Sequence, residues 1–179
     1  MSLCSRGNPV KLLSLVVLYL SVALDASAQA RMTPRPLDPL AAETFEHAVT
    51  GSPLVRTLVH QLEASNLVVH IESSRGLPGG VRGTMRFVTS RGGYRYVRIT
   101  LAADLRAEAR AAILGHELQH ACELAASNAH DTAAVRRLYE LAGHYPTHSQ
   151  DVFETRAAMM VERQVRAELR TEHGDRGGK

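Results

Sequence analysis

The segment from Leu105 to about Ala126 constrains this chain more than any other. It is rich in alanine and leucine, both strong helix formers, and its apolar residues fall nearly all round a helical projection. That is the pattern of a helix buried on most sides, so the rest of the fold must be built around it. Asp104 stands where it can cap the first turn. Within the segment, Ala109, Ile113, His116, His120 and Glu123 recur at spacings of four, three, four and three, and so share one stripe. The stripe is apolar in its first half and polar in its second. Buried polar side chains need partners, which makes the second half a candidate site.

His116-Glu117-Leu118-Gln119-His120 gives that site a chemistry. Histidines four apart lie one turn apart on one face, where both can hold one metal ion, while Glu117 points at the remaining coordination position. Glu117 is then a general base and not a ligand. A catalytic zinc takes three protein ligands and keeps one position open, so the third must come from elsewhere. In the expected last helix, Glu154 shares a face with Ala157, Ala158, Val161 and Val165, which carries a carboxylate toward the interior. A metal would relieve the cost of burying it, and Glu154 is the expected third ligand. Paired instead with an arginine such as Arg110 or Arg137, Glu154 would be structural. Glu123, one turn past His120, is placed to orient a ligand without binding the metal.

His144, Tyr145 and His148 lie in the loop that leads into the Glu154 helix. Each is a candidate to stabilise an oxyanion, and either histidine a candidate ligand; the alternative for all three is an exposed loop residue. His47, His60, His70 and His130 read as structural or solvated. With zinc at such a site, its bound water ionises near pH 7 (pKa about 7), Glu117 takes the proton, and Glu117 later delivers it to a leaving amine. The expected reaction is peptide hydrolysis, although nothing in composition separates a peptide from another amide.

Organisation along the chain fits export. Arg6 and Lys11 precede an apolar run from Leu12 to Ala23, followed by Ala26-Ser27-Ala28, which is the pattern of a leader cleaved after Ala28. The run is about 12 residues, short of the roughly 20 that span a bilayer, so no stable membrane anchor is expected after cleavage and the location is periplasmic or secreted. Cys4 leaves with the leader and Cys122 remains alone, a small buried filler that forms no internal disulfide. Removal of residues 1–28 leaves 151 of the 179, enough for one domain, and loss of Arg6, Lys11 and Asp25 takes the formal charge from +3 to +2. So small a charge argues against nucleic acid as the partner. Arg75, Arg82, Arg86, Arg91, Arg95 and Arg98 do crowd the middle of the chain, but with only Phe87, Tyr94 and Tyr96 interleaved they read as the solvated face of a hairpin.

The remaining elements follow from caps and turns. Residues 29–39 hold Pro34, Pro36 and Pro39 and read as a linker, with a single domain over residues 40–173. Asp38-Pro39 and Ser52-Pro53 announce helices at about Leu40 to Val49 and Leu54 to Ala64. Leu67 to Ile71 is a strand; Gly83 to Thr89 and Tyr94 to Leu101 form a hairpin around Ser90-Arg91-Gly92-Gly93. Helices follow at about Thr132 to Leu141 and, capped by Ser149, to about Arg170; residues 174–179 read as a frayed tail. The expected class is α+β, a small antiparallel sheet packed on the long helix.

The stretch Ile113-Leu114-Gly115-His116-Glu117-Leu118-Gln119-His120-Ala121-Cys122 resembles the active-site helix of the zincin metallopeptidases, down to uncharged residues at Leu118, Gln119 and Ala121. A glutamate ligand on a later helix is similar to the gluzincin branch; the metzincin branch would need a histidine where this chain has Ala126. The resemblance covers the motif helix and, loosely, the elements on either side. It implies a sheet before that helix whose edge strand lies along the cleft and pairs with extended substrate, a position held here by Tyr94 to Leu101. Gluzincins often carry an aspartate four residues after the ligand glutamate to orient the first histidine; this chain has Ala158 there. That departure and the small size keep a second possibility open, a zinc-stabilised binding protein that cuts nothing. A third is a coincidental motif in a helical scaffold.

Overall fold

The computed structural model describes residues 34–78, 80–141 and 154–176. The expected leader, the loop carrying His144, Tyr145 and His148, and the Ser149 cap lie outside them. The described residues form an α+β fold with a mixed four-stranded sheet in the order β1-β2-β4-β3. Its strands are β1 (Arg35–Pro36), β2 (Leu67–Ser74), β3 (Gly83–Arg91) and β4 (Tyr94–Ala102), and its helices α1 (Pro39–Gly51), α2 (Pro53–Glu63), α3 (Ala107–Ala125), α4 (Thr132–Leu141) and α5 (Arg156–Arg176).

Two capped helices come first. Asp38 Oδ1 accepts from the Ala41 N–H at 2.9 Å, with Pro39 preset for the first turn of α1. Its other oxygen accepts from the Ser73 N–H at 2.7 Å, which ties the cap to β2. Ser52 Oγ accepts from the Val55 N–H at 3.1 Å to start α2, and donates to Glu168 Oε2 of α5, which also takes the Leu54 N–H at 3.3 Å. An anionic group at a helix N-terminus is favourable on two counts, free N–H groups and the helix dipole. Order begins earlier than the proline content suggests: Arg35 and Pro36 pair in parallel with His70 and Ile71, and the Leu37 N–H reaches Ile71 O at 2.8 Å. The end of the expected linker is thus an edge strand, a place where proline is tolerated.

The sheet is mixed where an antiparallel one was expected. β2 runs parallel to β4, Leu67 opposite Arg95 through Ser74 opposite Ala102, and β3 is antiparallel to β4 on the outside. The connection after Ser74 carries the chain past the position that β4 later fills, and the Gly92-Gly93 turn, with φ of 61° and 80°, folds β4 back between β2 and β3. Tyr94 to Leu101 is therefore an interior strand, and the edge near α3 belongs to β3. A bulge between Phe87 and Thr89 interrupts the pairing toward the hairpin end.

The inner face of the sheet, Val69, Ile71, Val97, Ile99 and Leu101, is fully buried against the helices. Helix α3 is buried from Arg110 through Leu118 without a break, as its composition requires. At Gly115 a Cβ would stand 2.9 Å from Val165 Cγ2, so glycine is what lets α5 come this close to the motif turn. The expected Asp104 cap is not used. Arg106 occupies the N-cap with no side-chain bond, and the Leu105 carbonyl is taken at 2.7 Å by Arg110, whose Nε donates to Thr44 Oγ1 at 2.6 Å.

Arg95 also departs from expectation. It is buried and not part of a solvated face: its guanidinium donates to the carbonyls of Leu124, Ala125, Ser127 and Ala129 and to Asn66 Oδ1 at 2.8 to 3.3 Å. These carbonyls lie at the C-terminus of α3 and just beyond it, where a cation is favoured, and that of Leu124 also accepts from the N–H and Oγ of Ser127. Helix α5 starts at Arg156 with the Thr155 Oγ1 accepting from the Ala158 N–H at 2.9 Å, so Glu154 precedes the helix and does not ride on it. Ala158, Val161, Val165 and Leu169 form its inward stripe. The helix continues to Arg176, through part of the expected tail. No described helix is long and apolar enough to cross a membrane.

Candidate metal centre

The helical spacing brings His116 and His120 together with their Nε2 atoms 3.1 Å apart and their rings edge to face, centroids 4.8 Å apart. Both are buried. Glu123 Oε2 lies 3.0 Å from His120 Nδ1. A carboxylate only accepts, so Nδ1 carries the proton and Nε2 of His120 is left with its lone pair facing His116. Glu123 is fixed in turn by Thr155 Oγ1, donating at 2.8 Å, and Gln119 Nε2 at 3.3 Å. Tyr139 of α4 stands edge-on to the His120 ring at 5.5 Å and donates to the His120 carbonyl at 3.1 Å.

Glu154 Oε2 is 3.5 Å from His116 Nε2, the same nitrogen that faces His120. On the other side of that ring, Glu162 Oε2 lies 3.7 Å from Nδ1, which has no hydrogen-bond partner among the described residues. Arg110, considered above as a partner of Glu154, is instead committed to Thr44 and Leu105. Glu117 is buried beside the start of β3, its carboxylate against Gly83. Cys122 is half-buried, its thiol aimed at the Leu58 carbonyl at 3.6 Å and pushed up to about 12 by burial, an inert filler. His60 and His130 are exposed and His47 and His70 half-buried, on elements away from this cluster.

The electrostatics follow from burial and neighbours. Burial, then the charges of His120 and Arg82, bring the His116 imidazole down to about 4 against the pull of Glu162 and Glu123, so it is neutral and free to donate a lone pair near pH 7. Burial also lowers His120, but the Glu123 bond and the charges of Glu117, Glu123 and Glu154 outweigh it, and its pKa is raised. Burial pushes the Glu117 carboxyl up to about 7, with Glu154 and Glu162 adding and His120 opposing. A dication among these groups would reverse much of this balance.

By residue type, two histidines and a glutamate are donors that zinc takes. Two ligand nitrogens at about 2.0–2.1 Å from a tetrahedral ion stand roughly 3.3 Å apart, close to the separation of the two Nε2 atoms, and His₂Glu is an established set for catalytic zinc. Among the described residues, no three histidine, cysteine, aspartate or glutamate side chains are so placed that together they could hold a metal ion. The two imidazole nitrogens stand 3.1 Å apart, and the Glu154 carboxylate, partly open to solvent, lies 3.5 Å from that of His116.

Three contributors were not legible as such in the sequence: Thr155, Tyr139 and Glu162. For Glu162 a signal existed, its position one turn past Ala158 and next to the inward Val161, with Arg166 four residues on. Comparison with known proteins adds no family: no protein-family model matches the chain, and neither curated proteins nor solved structures give a match.

Proposed function

We propose that this chain is an exported zinc-dependent peptidase in which His116, His120 and Glu154 hold the metal and Glu117 is the general base. What supports this is the convergence of two buried imidazole nitrogens, 3.1 Å apart, with Glu154 at 3.5 Å from one of them. When bound, Zn2+ supplies the Lewis acidity that polarises a scissile carbonyl and makes water acidic near pH 7. Glu117, beside the two ligands and shielded from bulk water, takes the proton of the attacking water and returns it to the leaving amine. Glu123 holds the His120 ring in the tautomer that presents Nε2. The outer edge of β3, which pairs with no other strand among the described residues, and not β4, is where an extended peptide can add its backbone hydrogen bonds.

The test is the zinc content of the purified protein beside that of His116→Ala, Glu154→Ala and Glu117→Gln. About one zinc per chain, lost in the first two variants and kept in the third, with hydrolysis of a peptide library abolished in Glu117→Gln, is the expected result. Zinc without any Glu117-dependent turnover would leave the zinc-stabilised binding protein as the better account. No zinc in the folded wild type would remove both.

A further inference from the structure

Arg82 and Gly83 are neighbours at the start of β3 that touch the site from two directions. Arg82 donates through Nη1 and Nη2 to the two oxygens of Glu162 at 3.1 and 3.3 Å, a forked pair joining positions eighty residues apart. Arg166 holds the same carboxylate from one turn further along α5 at 2.8 Å. The carboxylate so held is the one that faces His116 Nδ1. Although Arg82 is half exposed, Glu162 keeps only 15% of its side-chain surface open, so the clamp acts on a largely buried group.

Gly83 meets the other functional residue. A Cβ at this position would fall 2.8 Å from Glu117 Oε1 and 2.5 Å from Ile113 Cγ2. Its φ is not positive, so glycine is required here for room and not for backbone freedom. The strand is held in place here, since Gly83 is paired with Leu101 and the Arg82 carbonyl accepts the Ala102 N–H at 2.9 Å. Ile113 is β-branched and stiff within α3. Of the two groups met, the Glu117 carboxylate, the far end of a flexible side chain, gives way at the lower cost, and the Ile113 contact has to be relieved as well.

We propose that the Arg82-Gly83 step is the positioning element of the site: Arg82 fixes Glu162 opposite the first histidine, and Gly83 leaves the space in which the Glu117 carboxylate stands. This rests on the zinc-peptidase function proposed above. It predicts a split between two measurements. Loss of Arg82 frees Glu162 and loosens His116, which lowers metal affinity. Charge alone gives the opposite sign, because removing a cation close to a dication tightens its binding. A methyl at Gly83 displaces the base and leaves the ligands in place, which lowers turnover.

The experiment is chelator competition for Zn2+ together with steady-state kinetics on the best peptide of a library, for wild type, Arg82→Ala, Arg82→Lys and Gly83→Ala. Arg82→Ala and Arg82→Lys are expected to bind zinc about tenfold more weakly, the lysine keeping the charge but not the fork. Gly83→Ala is expected to bind zinc as wild type does and to lose roughly a hundredfold in kcat at unchanged KM. Should Gly83→Ala not fold, the pair Gly83→Ala/Ile113→Ala, compared with Ile113→Ala alone, removes the Ile113 contact and keeps the one to Glu117, and the same loss of kcat is expected. Unchanged or tighter zinc in both Arg82 variants overturns the Arg82 half; wild-type kcat in the Gly83 variants overturns the other. Wild type that binds no zinc overturns the metal site itself. If it binds zinc and cuts nothing, the peptidase proposal and the Gly83 half both fall, while the zinc affinities still decide the role of Arg82.

Discussion

Arg95 completes the C-terminus of α3, where the local caps are the Ala126 N–H, bonded to Cys122 O, and the Ser127 N–H and Oγ, bonded to Leu124 O. The last turn of a helix leaves carbonyls outside the helical ladder, and here one buried guanidinium adds a donor to that of Leu124 and gathers Ala125, Ser127, Ala129 and the Asn66 side chain. Burial lowers its pKa, yet every donor nitrogen is bonded, so the charge is retained. Replacement by Met keeps the stem and removes the donors, which strands buried acceptors; a loss of about 3 kcal/mol is expected. Urea unfolding checks it: the midpoint should fall with the slope unchanged, and a shift under about 0.5 kcal/mol would show that the carbonyls find water instead. The sequence did carry a hint of this. Arg95 falls in the same alternation as Val97, Ile99 and Leu101, the inward phase of β4, while Tyr94, Tyr96 and Arg98 occupy the other. Counted among its neighbours as one arginine of six, it looked solvated; placed by period, it faces in. The motif histidines were legible for the opposite reason, since their relation is local and one helical turn suffices to bring them together.

At the scale of elements, the helices were legible because their starts are written locally, Asp38-Pro39 and Ser52-Pro53 above all. Strand order was not. Whether β2 pairs with β3 or with β4 depends on a connection that skips a place in the sheet, and no local pattern encodes that. The same holds for Arg82 with Glu162 and for Gly83 with Glu117, contacts made only once the sheet is assembled. Asp38 joins the two levels, since it caps α1 and also takes the Ser73 N–H of β2. Partial burial raises its pKa, but the bonds from Ala41 and Ser73 outweigh this and hold the carboxyl below its ordinary value. A lowered folded pKa means that the stabilisation is complete above the unfolded value of about 3.9 and is lost as pH falls through the folded one. Asp38→Ala should therefore cost about 1 kcal/mol at neutral pH, with the gap to wild type closing in acid. Circular-dichroism melts over a pH series would show it; a gap that persists unchanged at about pH 2 would mean that the anion is not what matters. Between α3 and α5, Gly115→Ala should cost about 1–3 kcal/mol, because Val165 must give way in a packed contact. Restoration by Gly115→Ala/Val165→Ala, measured as a double-mutant cycle, would locate the cost at that crossing.

Across the whole molecule, the candidate ligands come from two places far apart in the chain, one turn of α3 and the residue before the Thr155 cap of α5, so a metal bound there would close the long stretch between them. Zinc held by the folded protein and poorly by the unfolded chain adds stability by mass action: at a free concentration one hundred times its Kd, about 2.7 kcal/mol. For a protein of this size each kcal/mol moves Tm by roughly 2–4 °C, so zinc should raise Tm by roughly 5–11 °C and a chelator should remove the gain. The variants then separate binding from chemistry. Glu117→Gln should keep the full shift, since the general base holds no metal, and His116→Ala should show none. Glu154→Ala distinguishes a ligand from a bystander: as a ligand its loss abolishes most of the shift, and as a merely nearby carboxylate it leaves the shift nearly whole. A wild-type protein whose melting is indifferent to both zinc and chelator would mean that the two imidazoles face each other across a shared proton, and that the fold stands on its apolar core without a metal.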